Sequence, residues 1–350
     1  MNRIWHRLWV VACLWLAGPG TVLAAVLPLY EAEVPVLDQS VAARGPALRE
    51  ALTEVLIRVS GDRAVAHQPG ATALLSQPEV YVQQFGYRPA PAETRGTGEP
   101  WRLRVRFDGA SLERALRERG LPYWGDERPE ILVWLAVEER GRRQLLGEPD
   151  VAEAKDRLVS VARRRGLPLI FPLMDLEDRA RVGFSDVWGG FLEPVLAASR
   201  RYHPQALLIG RLHQSGTGAW QASWILQVQD NEQRWSGSDP NQGDLVAEGM
   251  ERVADELAAR FAVLDTGGDG AHLRISVMGV TDTGDYVRLN RYFASLSAIR
   301  SARLQALAED RAEYLLQLQG DVASLERALT LGSVLRPDPD AGPRHYRLQP

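Results

Sequence analysis

The side chains that most often carry catalysis or bind metals are scattered along this 350-residue chain. No histidine stands at ligand spacing from a second histidine or from a carboxylate on one helix face, so the sequence predicts no metal site. The single lysine, Lys155, is not preceded by the glycines of a phosphate-binding loop, and no G-x-S-x-G motif marks a serine nucleophile. We therefore expect no cofactor and assign no catalytic residue. The six histidines are His6, His67, His203, His213, His272 and His345.

Two groups of neighbouring carboxylates are the remaining candidates for acid–base chemistry. They are Glu138-Glu139, and Asp175 with Glu177 and Asp178. A hydrolase using such a pair remains an alternative, but carboxylates this close in sequence are common on protein surfaces, and we favour that interpretation.

The stretch Gly183–Gly190 is the most suggestive candidate for a ligand loop. It follows a predicted buried strand, where open α/β sheets place their ligand loops. Its tryptophan stands beside two glycines, which allow close approach of the backbone, so the candidate binding residues are Trp188, Gly189 and Gly190. The alternative, which we favour, is a capped loop whose tryptophan covers the core.

Three arginines alternate with apolar residues in the run 101–107: Arg102, Arg104 and Arg106. This alternation is the clearest strand pattern in the chain. The arginines are candidates for an anion-binding stripe. We favour the simpler interpretation, in which they pair across strands with Glu31 and Glu33.

The elements that position these residues form three groups along the chain. The first is predicted to run β-α-α-β-α, with a strand in 29–36, helices in 40–59 and within 71–85, a loop at 91–100, the strand 101–107 and a helix that ends at Gly120. The second has strands at 131–137, 169–174 and 206–212 separated by helices at 151–165 and 191–202, which implies a parallel core. The segment 175–190 is predicted to be irregular, and a hairpin around Asp230-Asn231 and a long helix in 245–263 follow.

The third group follows the glycine-rich linker Gly267–Gly270 and reads β-α-β-β-α-β, the ferredoxin-like order, over 273–348. The first and third groups share a heptapeptide: Ala110–Leu116 recurs unchanged as Ala323–Leu329, each time after a predicted strand. We favour a shared β-α element over coincidence. The fold class is therefore α/β and α+β in three units, with predicted boundaries at 25–125, 129–265 and 271–350.

The N-terminus has the pattern of a secretory signal peptide spanning residues 1–24. A basic start is followed by the apolar run Leu8–Ala17, and small residues allow cleavage between Ala24 and Ala25. The run is too short to span a bilayer, so we expect a cleaved signal, a periplasmic location and no transmembrane segment in the mature chain. The only cysteine, Cys13, lies inside this segment, so the remaining chain has no thiol for a disulfide, a zinc site or catalysis.

The composition is that of a globular protein, and the formal net charge of −4 gives no general attraction to nucleic acid. We therefore expect no nucleic-acid partner. Another envelope protein is the expected partner, and the oligomeric state is left open.

Two family resemblances bear on the function. The runs Tyr30–Val36, Ala47–Leu52 and Val55–Arg63, with Ile131–Ala136 and Ala206–Leu212, resemble an uncharacterised family of exported proteobacterial proteins, domain-of-unknown-function family 2066. That resemblance implies export but no activity. The middle group is similar in pattern to the N-terminal domain of TolB and to the fold of envelope proteins such as the curli secretion channel, through Ile209-Gly210-Arg211, Trp235-Ser236-Gly237 and the long helix. This second resemblance implies assembly or scaffolding work in the periplasm.

These observations favour a non-catalytic periplasmic binding or assembly factor of the bacterial cell envelope. The alternatives are an envelope hydrolase with a carboxylate pair and a small-ligand-binding protein that uses 183–190. A deep pocket with two facing carboxylates would favour the hydrolase, whereas a shallow groove without them would favour the binding factor.

Overall fold

Three β-sheets, each covered by its own helices, make up the molecule, and helices and strands are mixed as expected for α/β and α+β units. A computed structural model describes residues 28–91, 98–146, 152–216, 218–264, 271–332 and 334–349. The predicted cleavage site at Ala24 and Ala25 and the predicted linker Gly267–Gly270 lie outside the described residues. No helix in these ranges is both long enough and apolar enough to cross a membrane.

The N-terminal sheet has three antiparallel strands in the order β1-β3-β2. Apolar side chains of β1 and β3 face the long helix α1, which begins at a cap where the Ser40 hydroxyl accepts from the Ala43 N–H and ends at Gly61 in the left-handed conformation. The elements are β1 (Glu31–Val36), α1 (Val41–Ser60), α2 (Pro69–Leu75), β2 (Val82–Pro89), β3 (Trp101–Phe107) and α3 (Gly109–Glu118).

The strand β2 corrects the sequence analysis, which predicted a helix within 71–85. The helix α2 ends at Leu75, and Pro78 then begins a short 3-10 turn that leads into the strand. Proline at this point lacks the N–H that a continuing helix needs. The observed order of this part is β-α-α-β-β-α.

The middle sheet has six strands, and its centre is parallel as predicted, because β4 runs parallel to both β7 and the short β6. The strands β5, β8 and β9 are antiparallel to their neighbours, which gives the path β5-β4-β7-β8-β9. Its strands are β4 (Ile131–Glu139), β5 (Arg142–Leu145), β6 (Leu169–Ile170), β7 (Ala206–Gln214), β8 (Trp220–Val228) and β9 (Asn231–Asp239). Its helices are α4 (Ala152–Arg165), α5 (Leu176–Arg181), α6 (Phe184–Gly189), α7 (Leu192–Ser199) and α8 (Gln242–Phe261).

Two expectations for this sheet were wrong. The predicted strand 169–174 pairs only over Leu169–Ile170. The segment 175–190, predicted to be irregular, contains α5 and α6. Trp220 and Trp224 lie on one buried face of β8, and both belong to the core between the sheet and the helices α4 and α8.

The C-terminal sheet has five strands in the order β11-β12-β10-β14-β13. Without β13, this is the strand order of the predicted ferredoxin-like β-α-β-β-α-β unit. The added strand reverses the chain once more, so β14 runs parallel to β10 rather than antiparallel. The elements are β10 (His272–Met278), α9 (Thr283–Ser295), β11 (Ile299–Ala308), β12 (Arg311–Leu318), α10 (Val322–Leu331), β13 (Leu335–Pro337) and β14 (His345–Leu348).

Three buried arginines join the N-terminal sheet to the middle sheet where the C-terminal ends of α1 and α4 meet. Arg58 of α1 donates to the Arg164 carbonyl oxygen (3.0 Å), and Arg165 of α4 donates in return to the Gly61 carbonyl oxygen (2.7 Å). Arg128, between them, donates to the carbonyl oxygens of Arg58 (2.8 Å) and Arg165 (3.0 Å). Cations placed at these helix ends offset the negative ends of both helix dipoles. We call these residues the arginine junction.

Candidate functional site

Asp175, Glu177 and Asp178, one of the two groups considered for acid–base chemistry, form ion pairs with Arg201. Arg201 makes two hydrogen bonds to Asp175 (2.9 and 3.0 Å) and one to Asp178 (3.1 Å). The fully buried Asp178 also accepts from the hydroxyl of Tyr202 and from the N–H of Met174 (2.9 Å). The hydrogen bonds from Arg201 lower the pKa of the Asp175 carboxyl to about 2, so this group is ionised at neutral pH. These contacts hold α5 against the end of α7.

A second pair of carboxylates, Asp62 and Asp255, lines a cavity between α1 and α8. The carboxylate of Asp255 forms ion pairs with Arg63 (2.6 Å) and Arg165 (2.9 Å), and that of Asp62 accepts from the Gln68 amide (2.7 Å). Both carboxylates therefore have structural partners, which argues against the hydrolase interpretation at this position. In the described ranges, no group of three or more histidine, cysteine, aspartate or glutamate side chains could hold a metal ion.

The segment proposed as a ligand loop forms the short helix α6 and its C-terminal turn. Gly190 has a positive φ of 66° and ends the helix, with its N–H bonded to the Val187 carbonyl oxygen (3.2 Å). A side chain at Gly189 would come within 2.5 Å of the Phe191 ring, and one at Gly190 within 2.9 Å of Ile225. The paired glycines thus lie against side chains of the protein itself, and the positive φ of Gly190 favours glycine at that position.

Trp188 is partly buried and belongs to an aromatic cluster beside the sheet. Its ring stacks on Phe184 at 5.2 Å between centroids and meets the edge of His213 at 5.9 Å. It packs against the core on the α6 side of the middle sheet. This agrees with the interpretation favoured in the sequence analysis, in which the Trp188 ring covers the core.

The same turn also forms one wall of a cavity of about 350 Å³ over the middle sheet, which we call the α6 cavity. Its floor is the sheet face made by β7, β8 and β9, where Arg211, Ser223 and Ser236 are aligned across the strands. The next row consists of Ile209, Ile225 and Arg234. The predicted residues Trp188, Gly189 and Gly190 line the wall.

Both arginines of the α6 cavity are exposed and held by neighbours. The guanidinium of Arg211 donates to the Trp188 carbonyl oxygen (3.1 Å), and Arg234 forms an ion pair with Glu232. The side chain of Arg234 lies next to the turn, since its Nη1 is 3.8 Å from the position of a Cβ at Gly190. Two guanidinium groups and two serine hydroxyls therefore border one concave space.

This arrangement is suited to binding an anion. Arginine presents paired N–H groups that match the geometry of a carboxylate or phosphate, and hydroxyls donate further hydrogen bonds. The residues that line the α6 cavity include no carboxylate, histidine or lysine, the side chains that most often act as general bases. The volume falls in the lower part of the range of about 300–1,000 Å³ that is usual for small-ligand sites.

The arginine stripe of β3 lies on the solvent face of the N-terminal sheet. Glu31 forms ion pairs with both Arg104 and Arg106, and hydrogen bonds from these arginines lower the pKa of its carboxyl. This is the cross-strand pairing that the sequence favoured, although Glu31 alone provides it in the described contacts. Arg102 is instead aligned with Pro35 on β1 and with Arg88 on β2.

A larger cavity of about 540 Å³ lies between the end of α7 and the C-terminal end of α10. Its lining is mainly apolar and amide side chains, and its two basic residues, Arg200 and His203, are exposed. It offers fewer groups that fix a ligand than the α6 cavity does, so we regard the α6 cavity as the better candidate site.

The sequence analysis missed four residues of this site: Arg211, Ser223, Arg234 and Ser236. They come together only through the registers of three strands, and those registers are not visible in a single sequence. The signal in the sequence was the alternation along β8 and β9, which places Ser223, Arg234 and Ser236 on the face opposite Trp220 and Trp224.

Comparison with known proteins gives a family match for the N-terminal sheet and its helices only. A family model described as a domain of unknown function, DUF8605, matches residues 24–125. The expectation of an uncharacterised family thus holds for this part, whereas the resemblances to family 2066 and to TolB are not confirmed. No curated protein matches the chain.

Two solved structures are similar to parts of the chain. The N-terminal domain of Protein Y from Thermus thermophilus is 9% identical, with 37% of this chain and 93% of that chain covered and a TM-score of 0.19. An uncharacterised protein is 11% identical, with 38% of this chain and 98% of that chain covered and a TM-score of 0.17. Scores this low support no conclusion about fold or function.

Proposed function

We propose that this protein is a non-catalytic binding or assembly factor of the bacterial cell envelope, and that it holds a small anionic ligand in the α6 cavity. The observation that carries the proposal is the convergence of Arg211 and Arg234 with two serine hydroxyls on one concave sheet face. The lining residues supply donors for an anion and no carboxylate or histidine, which favours a binding site over a hydrolase.

The proposed location is the periplasm. It rests on the basic start, the short apolar run and the small residues before Ala25. Mass spectrometry of the native protein should find an N-terminus near Ala25. An intact Met1 terminus in the cytoplasmic fraction would contradict export.

The binding proposal is tested by titrating the full chain with benzoate and with inorganic phosphate, while tryptophan fluorescence and calorimetry are recorded. Benzamide serves as the neutral analogue of benzoate. We expect at least one of the two anions to bind and benzamide to bind more weakly. Arg211→Met and Arg234→Met should each weaken binding roughly ten- to hundredfold, because a hydrogen bond to a charged group contributes about 1.5–3 kcal/mol.

The matched control is Arg179→Met, which removes an exposed arginine of α5 outside the α6 cavity. It should leave the affinity unchanged. Binding of neither anion, equal affinity for benzoate and benzamide where both bind, or unchanged anion binding in both cavity variants would exclude the α6 cavity as an anion site.

A further inference from the structure

The strand β2 is an edge of the N-terminal sheet, and the described residues place no strand beside it except β3. The Asp108 N–H donates to the Tyr81 carbonyl oxygen (2.8 Å), and the Ala90 N–H donates to the Pro100 carbonyl oxygen (2.9 Å). In an antiparallel pair, every second residue directs its N–H and C=O groups towards the neighbouring strand, and the residues between direct them away. The two hydrogen bonds and the register of β2 with β3 place Phe85 and Tyr87 among the residues whose N–H and C=O groups point away from β3. An unpaired edge of this kind is a template for another strand.

One face of this edge is basic. Gly86 and Arg88 of β2 are aligned with Arg104 and Arg102 of β3, so Arg88 and Arg102 lie directly opposite each other. Like charges in this position destabilise a sheet. In the described part of the chain, no carboxylate forms an ion pair with Arg88 or Arg102. Nothing lies within 4 Å of the space above Gly86, so this face is open to an incoming side chain.

The other face of the edge is apolar and partly uncovered. Phe85 is 43% exposed, with the guanidinium of Arg44 5.0 Å from the centre of its ring. Tyr87 follows on the same face, at 6.1 Å between ring centroids. Val41, one turn before Arg44 on α1, is 74% exposed. A strand added to β2 would therefore have one face against cations and the other against apolar side chains.

The strand β1, which pairs with the other side of β3, shows which sequence pattern fits one basic face and one apolar face. Along β1, Glu31 and Glu33 alternate with Ala32 and Val34. The apolar residues are buried, and the carboxylate of Glu31 bridges two arginines of β3. A partner strand that places carboxylates over Arg88 and Arg102 must follow the same alternation.

We propose that β2 is a docking edge for an extended segment of a partner protein in which acidic and apolar residues alternate. The segment adds a strand antiparallel or parallel to β2, with main-chain hydrogen bonds at Phe85 and Tyr87, and its carboxylates neutralise the Arg88–Arg102 pair. A second copy of β2 is a poorer occupant, because it brings another arginine and no carboxylate. The edge lies on a different sheet from the α6 cavity, so either proposal can fail without the other.

The test measures fluorescence anisotropy of a short labelled peptide that alternates glutamate and valine, titrated with the full chain. We expect this peptide to bind and its lysine–valine counterpart not to bind. Arg88→Glu should weaken binding roughly tenfold or more, because it places like charge against the peptide. The same substitution sets a carboxylate opposite Arg102, which favours the folded sheet, so the variant should keep its melting temperature.

Two controls separate strand addition from simple charge attraction. Arg114→Glu reverses an exposed charge on α3, away from the edge, and should leave the affinity unchanged. Peptides carrying N-methyl groups on alternate residues test the backbone, because only one of the two alternate sets faces β2. Methylation of that set should abolish binding, and methylation of the other set should not.

Three outcomes would overturn the proposal. The first is equal binding to the wild type and to Arg88→Glu. The second is equal binding of both methylated peptides, which would mean that no ladder forms. The third is binding to vesicles of phosphatidylglycerol without binding to the peptide, which would make the basic face a membrane-contact surface.

Discussion

At the residue scale, neighbouring side chains of β3 differ sharply in what they contribute to stability. Phe107 is fully buried against α1 and the other strands, whereas Arg104 lies on the solvent face with 43% of its side chain exposed. The arginine forms ion pairs with a glutamate that it shares with Arg106. Removing the Phe107 ring would therefore leave a cavity in the core, whereas removing the Arg104 side chain would remove only an ion pair that water screens.

We expect Phe107→Ala to lower the free energy of unfolding by about 3–5 kcal/mol, through lost burial and the cavity that remains. Arg104→Ala should lower it by only about 0–1 kcal/mol, because surface ion pairs in water contribute little and Arg106 still neutralises Glu31. Urea denaturation of both variants beside the wild type measures the difference. A harmless Phe107→Ala would mean that the facing of β3 is wrong.

At the scale of elements, the repeated heptapeptide has the same local role in both places. Asp108 and Asp321 each cap a helix by accepting from the N–H of the serine three residues on, at 2.7 Å in both cases. In each helix, the two leucines of the heptapeptide are buried. The strand–cap–helix unit that the sequence suggested therefore exists twice, in α3 and in α10, with the same capping chemistry.

Elements with strong periodicity were predictable, and elements fixed by neighbours were not. The alternation of β3 and the long apolar face of α1 gave the correct structures, because their side-chain patterns match the period of a strand and of a helix. The strand β2 was missed because its exposed edge carries little apolar alternation after Pro78. The short helices α5 and α6 were missed although Asp175 and Gly190 had the residue types of helix caps.

The candidate site shows the same limit. Trp188 and the glycine pair could be singled out because aromatic and glycine residues are informative one at a time. The cations Arg211 and Arg234 are 23 residues apart in sequence, and only the pairing of β7, β8 and β9 brings them to one face. Pairing of that kind depends on tertiary packing, which local sequence does not specify.

At the scale of the whole molecule, the arginine junction links the N-terminal sheet to the middle sheet through buried hydrogen bonds. Arg128 is buried, and its guanidinium donates to four carbonyl oxygens: those of Arg58, Trp124, Gly125 and Arg165. The guanidinium also lies 4.1 Å from the centre of the Trp124 ring. Burial lowers the pKa of this group, and the carbonyl oxygens compensate by accepting all of its donated hydrogen bonds.

Replacing Arg128 should therefore weaken the connection between the sheets more than either sheet itself. Arg128→Met keeps the length of the side chain but leaves four carbonyl oxygens without their donor, at a cost of about 1–3 kcal/mol for each one that stays buried. We expect a single cooperative unfolding transition in the wild type and two transitions in the variant, with α1 exchanging its amide hydrogens before β8 does. Hydrogen exchange followed by mass spectrometry, at increasing urea concentration, distinguishes the two elements.

Arg179→Met is the control, since it removes an arginine from the surface of α5 and should leave one transition. If α1 and β8 of Arg128→Met still exchange together at every urea concentration, the two sheets are coupled by their apolar contacts, and the junction serves only to satisfy the ends of α1 and α4.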